Sequence, residues 1–233
     1  MEVKVTTNVL AKNDAIAADL QRLFKEKIYL SLICWAHRER AKPHCSKRPL
    51  RSLPKSIHSP LLKAIYIPQK MRNAFTKLGI PVLQINTVGG CHLDAKMIED
   101  ALSELDLDKL DMIIIENVGN LVCPAEFAIG EAMKVTVLSV TEGEDKPLKY
   151  PLIFKESKAV LLNKVDLLPY IPFDKDKAVT DIKNLNPSVS LFEVSCTAKT
   201  GLTEWTNWLK AQIEAGTKGV VMKQLQRISL AVL

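Results

Sequence analysis

The sequence predicts an α/β fold: a mainly parallel sheet flanked by helices. Three observations carry that prediction. Short apolar runs recur along the chain, amphipathic helical patterns separate them, and polar or glycine-containing turns follow several of the runs. Strands buried on both faces read as continuous apolar stretches, and intervening helices are what parallel crossovers require. Ligands on such folds bind beyond the carboxyl ends of the strands, so the residues just after each run are the candidates for chemistry.

Taken in order, residues 11–26 place Ile16, Leu20, Leu23 and Phe24 on one helical face, so residues 1–26 are expected to form a helical lead-in. A first short strand is expected over 27–32, and further strands over 82–85, 112–115, 135–140, 160–162 and 191–194. Helices are expected over 94–105, 175–185 and 202–213, so that 27–215 form the main domain. The tail, 216–233, has no assigned role.

The 233 residues, 47% of them hydrophobic, suit one domain with its own core. No run approaches the roughly 20 apolar residues of a membrane helix, and the N-terminus lacks a signal-peptide layout, so a cytoplasmic protein is expected. Five cysteines without framework spacing read as thiols, buried or metal-binding. Charge is uneven. Residues 32–72 hold ten Lys/Arg against the single acid Glu39, a local +9 within a total of +6, so the rest of the chain is net −3. The same stretch holds five prolines and three of the four histidines and shows neither helical nor strand periodicity.

Asn163-Lys164-Val165-Asp166 directly follows an apolar run, at the carboxyl end of a strand. The aspartate can accept from the ring NH and exocyclic amine of guanine; the asparagine offers an amide, and the lysine stem packs along the ring. A strand-ending turn would use the same residues for their local hydrogen bonds. Ser195-Cys196 ends the next strand, where a short loop can bring backbone NH groups near the base oxygen. Glu116 ends the 112–115 run, and Gly119 follows three residues later. An acid there can hold Mg²⁺ through water, and a glycine NH can approach a terminal phosphate. Cys91-His92 and Cys123 follow two different runs, and thiolate with imidazole suits Zn²⁺ or Ni²⁺. Three ligands leave a shell that a two-fold partner could complete. Buried structural thiols would leave the same signature.

These segments together resemble the hydrogenase nickel-incorporation GTPases of the HypB family. The matching stretches are Asn86-Thr87 with Gly89 to Met97, Ile115 to Ala125, Ser139 to Pro151 and Asn163 to Asp166. The resemblance implies a SIMIBI-class G domain over 27–215 that dimerises with GTP and uses Mg²⁺. It also implies nickel or zinc held by Cys91, His92 and Cys123. Nickel would be delivered with other maturation proteins to the hydrogenase large subunit. Glu116, where many G domains have Asp, is the family's own form. No His-rich tract or N-terminal cysteine motif is present, so no additional nickel store is expected.

One expected element is missing. A Gly-x-x-x-x-Gly-Lys-Thr loop should follow the first strand and cradle the phosphates. Residues 33–43 contain no glycine and cannot form that anion nest. Shifting the reading frame one base early supplies it. The Trp35-Ala36 junction then forces Gly, and the junctions through Pro43 permit Ser-Pro-Gly-Ala-Gly-Lys-Thr. Junctions from Lys63 to Lys70 permit Gly-Asp-Ile-Tyr-Thr-Thr-Lys, similar to the family's Gly-Asp switch segment. Residues 32–71 are therefore expected to be frame-shifted between compensating changes. The competing reading is a basic arm for nucleic acid or acidic lipid. At the level of function, the alternatives to a nickel GTPase are a catalytically silent nickel- or zinc-binding protein and a urease-type nickel GTPase.

Overall fold

The structure is a computed structural model that describes residues 5–27, 30–35, 61–64, 82–107, 112–117 and 121–215. In chain order the elements are α1 (Val5–Lys27), β1 (Leu30–Trp35), β2 (Leu61–Ala64), β3 (Val82–Ile85), α2 (Ala95–Leu102), β4 (Met112–Glu116) and α3 (Cys123–Glu126). There follow β5 (Met133–Ser139), α4 (Lys146–Lys149), α5 (Pro151–Glu156), β6 (Ser157–Asn163), α6 (Lys175–Leu185), β7 (Ser190–Val194) and α7 (residues 202–215). Short 3-10 turns at Val140–Glu142 and Val165–Tyr170 follow β5 and β6.

All seven strands join one sheet in the order β3-β2-β4-β1-β5-β6-β7, and every pairing is parallel. The chain moves outward from β1 to β3, returns through β4, then crosses to β5, β6 and β7 on the other side. The order thus reverses around β1, which places the switch point, and the natural ligand crevice, at its carboxyl end. Among the described residues no helix is long and apolar enough to cross a membrane.

The period of two along each strand divides the core between the faces. Ile113 and Ile115 of β4, Leu138 of β5 and Val160 and Leu162 of β6 pack with Ala17, Leu20 and Phe24 of α1, Ile98 of α2, Phe154 of α5 and Ile182 of α6. Ile114, Val135, Val137, Ala159 and Leu161 point the other way and meet Trp205 and Leu209 of α7. Trp205 stacks on Trp208 and meets the Phe192 ring edge-on. The helical lead-in is therefore part of the core: Ala17, Leu20 and Phe24 are each at most 4% exposed.

Two expectations change. The first strand runs from Leu30 to Trp35 rather than over 27–32, because its ladder pairs Leu30 with Met112 and Trp35 with Thr136. A strand also forms at Leu61–Ala64, inside the stretch where the sequence shows no period. Four residues are too few to display alternation, and the backbone ladders to β3 and β4 define it. The proposed phosphate-loop residues after Trp35, the sequence around Arg72 and the tail from 216 lie outside the described residues, as does Gly119.

The Phe154 side chain is fully buried where α5 packs on α6, β5 and β6. Phe154→Ala is expected to lower unfolding stability by about 3–5 kcal/mol in a urea titration; a loss below about 1 kcal/mol would contradict this packing.

Candidate functional site

The parallel register sets the strand ends level. Glu116 lies beside Cys34 of β1 and Lys63 of β2, while Ser139, Asn163 and Val194 are consecutive partners across β5, β6 and β7. Every residue with a chemical role assigned from the described sequence follows one of these ends, so all the candidates stand along one edge of the sheet.

At the end of β6, Asn163 is 1% exposed and its Oδ1 accepts from the Lys164 backbone N–H at 2.8 Å. Lys164 holds a left-handed conformation, φ 63°, and Val165 opens the 3-10 turn that carries Asp166. The side-chain oxygen of Asn163 is thus occupied, and the buried Nδ2 has no hydrogen-bond partner among the described residues. A buried, unsatisfied donor costs about 1–3 kcal/mol and is the kind of group a base carbonyl would satisfy. On the neighbouring strand end, Ser195 donates its N–H to Thr200 O at 3.1 Å, and its Oγ accepts from Ala198 N–H at 2.9 Å. Ser195 therefore shapes the loop instead of offering a free N–H to a ligand, with the buried thiol of Cys196 beside it.

The second cluster comes from two loops. After β3, Thr87 to Gly90 make a tight turn with positive φ at Val88 (49°) and Gly89 (88°), closed by Gly90 N–H to Thr87 O at 2.9 Å. Both central residues with φ > 0 describe a type I′ turn. Cys91 and His92 follow it. Leu93 is fully buried, and Asp94 caps α2 by accepting from Met97 N–H at 2.8 Å. The residues around the two ligands thus anchor the loop. After β4, the chain returns to place Cys123 at the start of α3, ahead of Pro124.

These two loops bring Cys91 Sγ to 3.2 Å from Cys123 Sγ and 3.5 Å from His92 Nδ1. All three ligand atoms lie within 4.8 Å of one another. One ion with bonds of about 2.3 Å to sulfur and about 2.0 Å to nitrogen spans that separation, so the donor set fits a single soft or borderline cation. The His92 ring packs on Phe127, centroids 4.0 Å apart. Hydrogen bonding with Cys91, followed by desolvation and the Cys91 charge, holds the Cys123 thiol above its ordinary range. Two thiols this close resist joint deprotonation, and a cation between them removes that resistance.

Comparison with known proteins follows the same division. Residues 67–193 match the family described as "CobW/HypB/UreG, nucleotide-binding domain". The chain is 38% identical over 210 residues to the hydrogenase maturation factor HypB of Azotobacter vinelandii, covering 90% of this chain and 69% of that one. This chain belongs to the HypB family. It is 54% identical over 134 residues to HypB of Escherichia coli K12, covering 58% of this chain but 46% of that protein, so it spans about half the length of that relative. Its fold matches the HypB structure of Helicobacter pylori in complex with nickel, with a TM-score of 0.78 and 31% identity, over 88% of this chain and 96% of that one. The α/β P-loop fold expected from the HypB resemblance is the fold observed.

Sequence reasoning missed Asn13, Asn117 and Phe127. Asn13 had a signal: it lies four and seven residues before Ala17 and Leu20, on the buried stripe of α1, where a polar residue needs a partner. The HypB turn at Val88 carries a β-branched side chain in left-handed backbone and is 88% exposed. Val88→Asn introduces the Asn-Gly pair that such turns favour, and should stabilise the fold by about 1 kcal/mol in thermal or urea unfolding; a destabilised variant would contradict the turn assignment.

Proposed function

We propose that this chain is a nickel-handling G protein of [NiFe]-hydrogenase maturation. Asn163, Lys164 and Asp166 read guanine, with the Ser195-Cys196 loop closing on the base. Glu116 and Gly119 serve the Mg²⁺ and γ-phosphate side of GTP. Cys91, His92 and Cys123 take Ni²⁺, or Zn²⁺ in its place, as cargo. The protein acts in the cytoplasm as a homodimer whose second copy completes the metal shell. It passes nickel, with other maturation proteins, to the hydrogenase large subunit. Nucleic acid and membrane are not among its partners.

The observation that carries this reading is the gathering of three ligand atoms from two loops within 4.8 Å, on the sheet edge that also bears Asn163. The loop after β4 borders the crevice at the end of β1 where GTP phosphates would sit, and it meets the loop after β3 at Cys123 and Cys91. Binding there can therefore bias the metal loops through order and disorder of short segments. The nickel found in the H. pylori relative supports the cargo assignment.

The phosphate loop is the exception, and we hold that residues 32–71 are read in a shifted frame. Strand β1 ends at Trp35, so the residues in the phosphate-loop position begin at Ala36, and the Trp35-Ala36 junction is where the shifted frame first forces glycine. The match to the nucleotide-binding family begins at residue 67, near the point where the normal frame resumes. The glycine-free stretch also favours a second reading for the chain as written: a metal-binding protein without a nucleotide cycle.

Nickel titration monitored by thiolate-to-metal absorption should show one bound ion per site, weakened at least about tenfold by Cys123→Ser. Unchanged affinity in that variant would overturn the metal assignment. With GTP added, the nickel affinity of a protein carrying the shifted-frame loop should change, whereas that of the chain as written should not. The chain as written should show negligible GTP hydrolysis, and robust Mg²⁺-dependent turnover would refute the lesion. DNA covering residues 30–75 should contain the paired frame changes; an uninterrupted frame without the alternative loop rules them out.

A further inference from the structure

The metal ligands sit on two loops that the chain itself does not join closely: Cys91 and Cys123 are 32 residues apart. Neither loop belongs to a long element, and α3, which carries Cys123, is only four residues long. Something outside the ligands must hold the loops at a common distance. Two buried asparagine side chains do so.

Asn13 of α1 is 6% exposed. Its Oδ1 accepts from the Ala95 N–H at 2.8 Å, and its Nδ2 donates to the Ala128 carbonyl at 2.8 Å. One amide therefore grips the Cys91 loop where it enters α2 and the Cys123 segment just after α3. Asn117 is 1% exposed, immediately after β4, and its Oδ1 accepts from the Leu93 N–H at 3.1 Å, one residue beyond His92. The first tie fixes the ligand loops to each other through the N-terminal helix. The second fixes the Cys91-His92 loop to the strand end that carries Glu116. All the tied backbone groups are at or near buried positions: Leu93 and Ala95 are fully buried, and Ile129, next to Ala128, is as well.

We propose that Asn13 and Asn117 are the positioning residues of the Cys91–His92–Cys123 site, acting through the backbone of both ligand loops. The helix α1 is thereby part of the metal site, although it supplies no ligand. This inference rests on the metal-site reading above. Partners that orient ligands without touching the ion commonly change affinity by about 10- to 100-fold when removed.

The test is Zn²⁺ affinity of the full chain by competition with a chromogenic chelator, paired with a metal-free readout. Dibromobimane bridges two neighbouring thiols, displacing two bromides as two thioethers form, and becomes fluorescent only on bridging. Its reaction with the apo-protein, with Cys123→Ser as the blank, reports whether Cys91 and Cys123 are held together. Asn13→Leu and Asn117→Leu should each weaken Zn²⁺ binding about 10- to 100-fold and slow the bridging. Asn117→Asp keeps the acceptor for Leu93 N–H and should lose less of both than Asn117→Leu. Asn13→Asp keeps the acceptor for Ala95 but faces the Ala128 carbonyl with an oxygen, so it should lose affinity even if the leucine variants do not fold. Asn186→Ala is the control for general destabilisation. It removes an amide that donates to Phe154 O, Lys155 O and Ser157 O, away from the ligand loops. The proposal is overturned if the Asn13 and Asn117 variants bind Zn²⁺ and bridge as wild type does, or if Asn186→Ala loses as much of both. Wild-type protein that bridges its thiols but binds no Zn²⁺ would instead count against the metal reading itself.

Discussion

The parallel register of the central strands is the constraint on which the rest of this molecule depends. Backbone ladders set Glu116 beside Cys34, and Asn163 between Ser139 and Val194. A slip of one residue in any of them would exchange the two faces of that strand and bury the wrong side chains. The division of Ile113 and Ile115 from Ile114, and of Val135 and Val137 from Leu138, makes such a slip costly, because both faces are packed. Packing on the faces thus fixes what stands at the edge. The Asn163–Asp166 turn and the loops that carry Cys91, His92 and Cys123 inherit their positions from a core that contains none of these residues.

The edge then carries two kinds of group with different physical character. Asn163 is rigid: it is buried at a strand end, and its own oxygen is committed to the next backbone N–H, leaving one donor for a ligand. Cys91, His92 and Cys123 stand differently. They sit on loops, are partly exposed, and are held at a distance by hydrogen bonds from buried asparagines rather than by a regular element. On the proposed function, a buried base reader beside loop-borne ligands is the arrangement by which nucleotide occupancy would alter metal affinity.

Much of the fold was legible because buried parallel strands write themselves as apolar runs. Residues 82–85, 112–115 and 191–194 were placed within a residue or two of the observed elements, as was the helix over 175–185. The strand at Leu61–Ala64 was not legible, since its definition lies in ladders to β3 and β4 and four residues carry no period. The limits of β1 were shifted for the same reason. In the site, cysteine and histidine announced themselves by type, and the family resemblance implied one metal held by Cys91, His92 and Cys123, but residue spacing alone does not show that Cys91 and Cys123 meet. That proximity is a property of loops after two strands, with β2 between those strands in the sheet. Asn13 was legible only as a polar residue interrupting an apolar stripe, and Asn117 carried no signal of its own. Both matter through backbone groups that sequence alone does not display.

The central claim is that Cys91, His92 and Cys123 form one metal site. X-ray absorption at the nickel edge of the Ni²⁺-loaded chain tests it most directly. The account predicts sulfur scattering from the two thiolates together with an imidazole signature, and loss of part of the sulfur contribution in Cys91→Ser. A shell of oxygen and nitrogen alone, unchanged by that substitution, would contradict it.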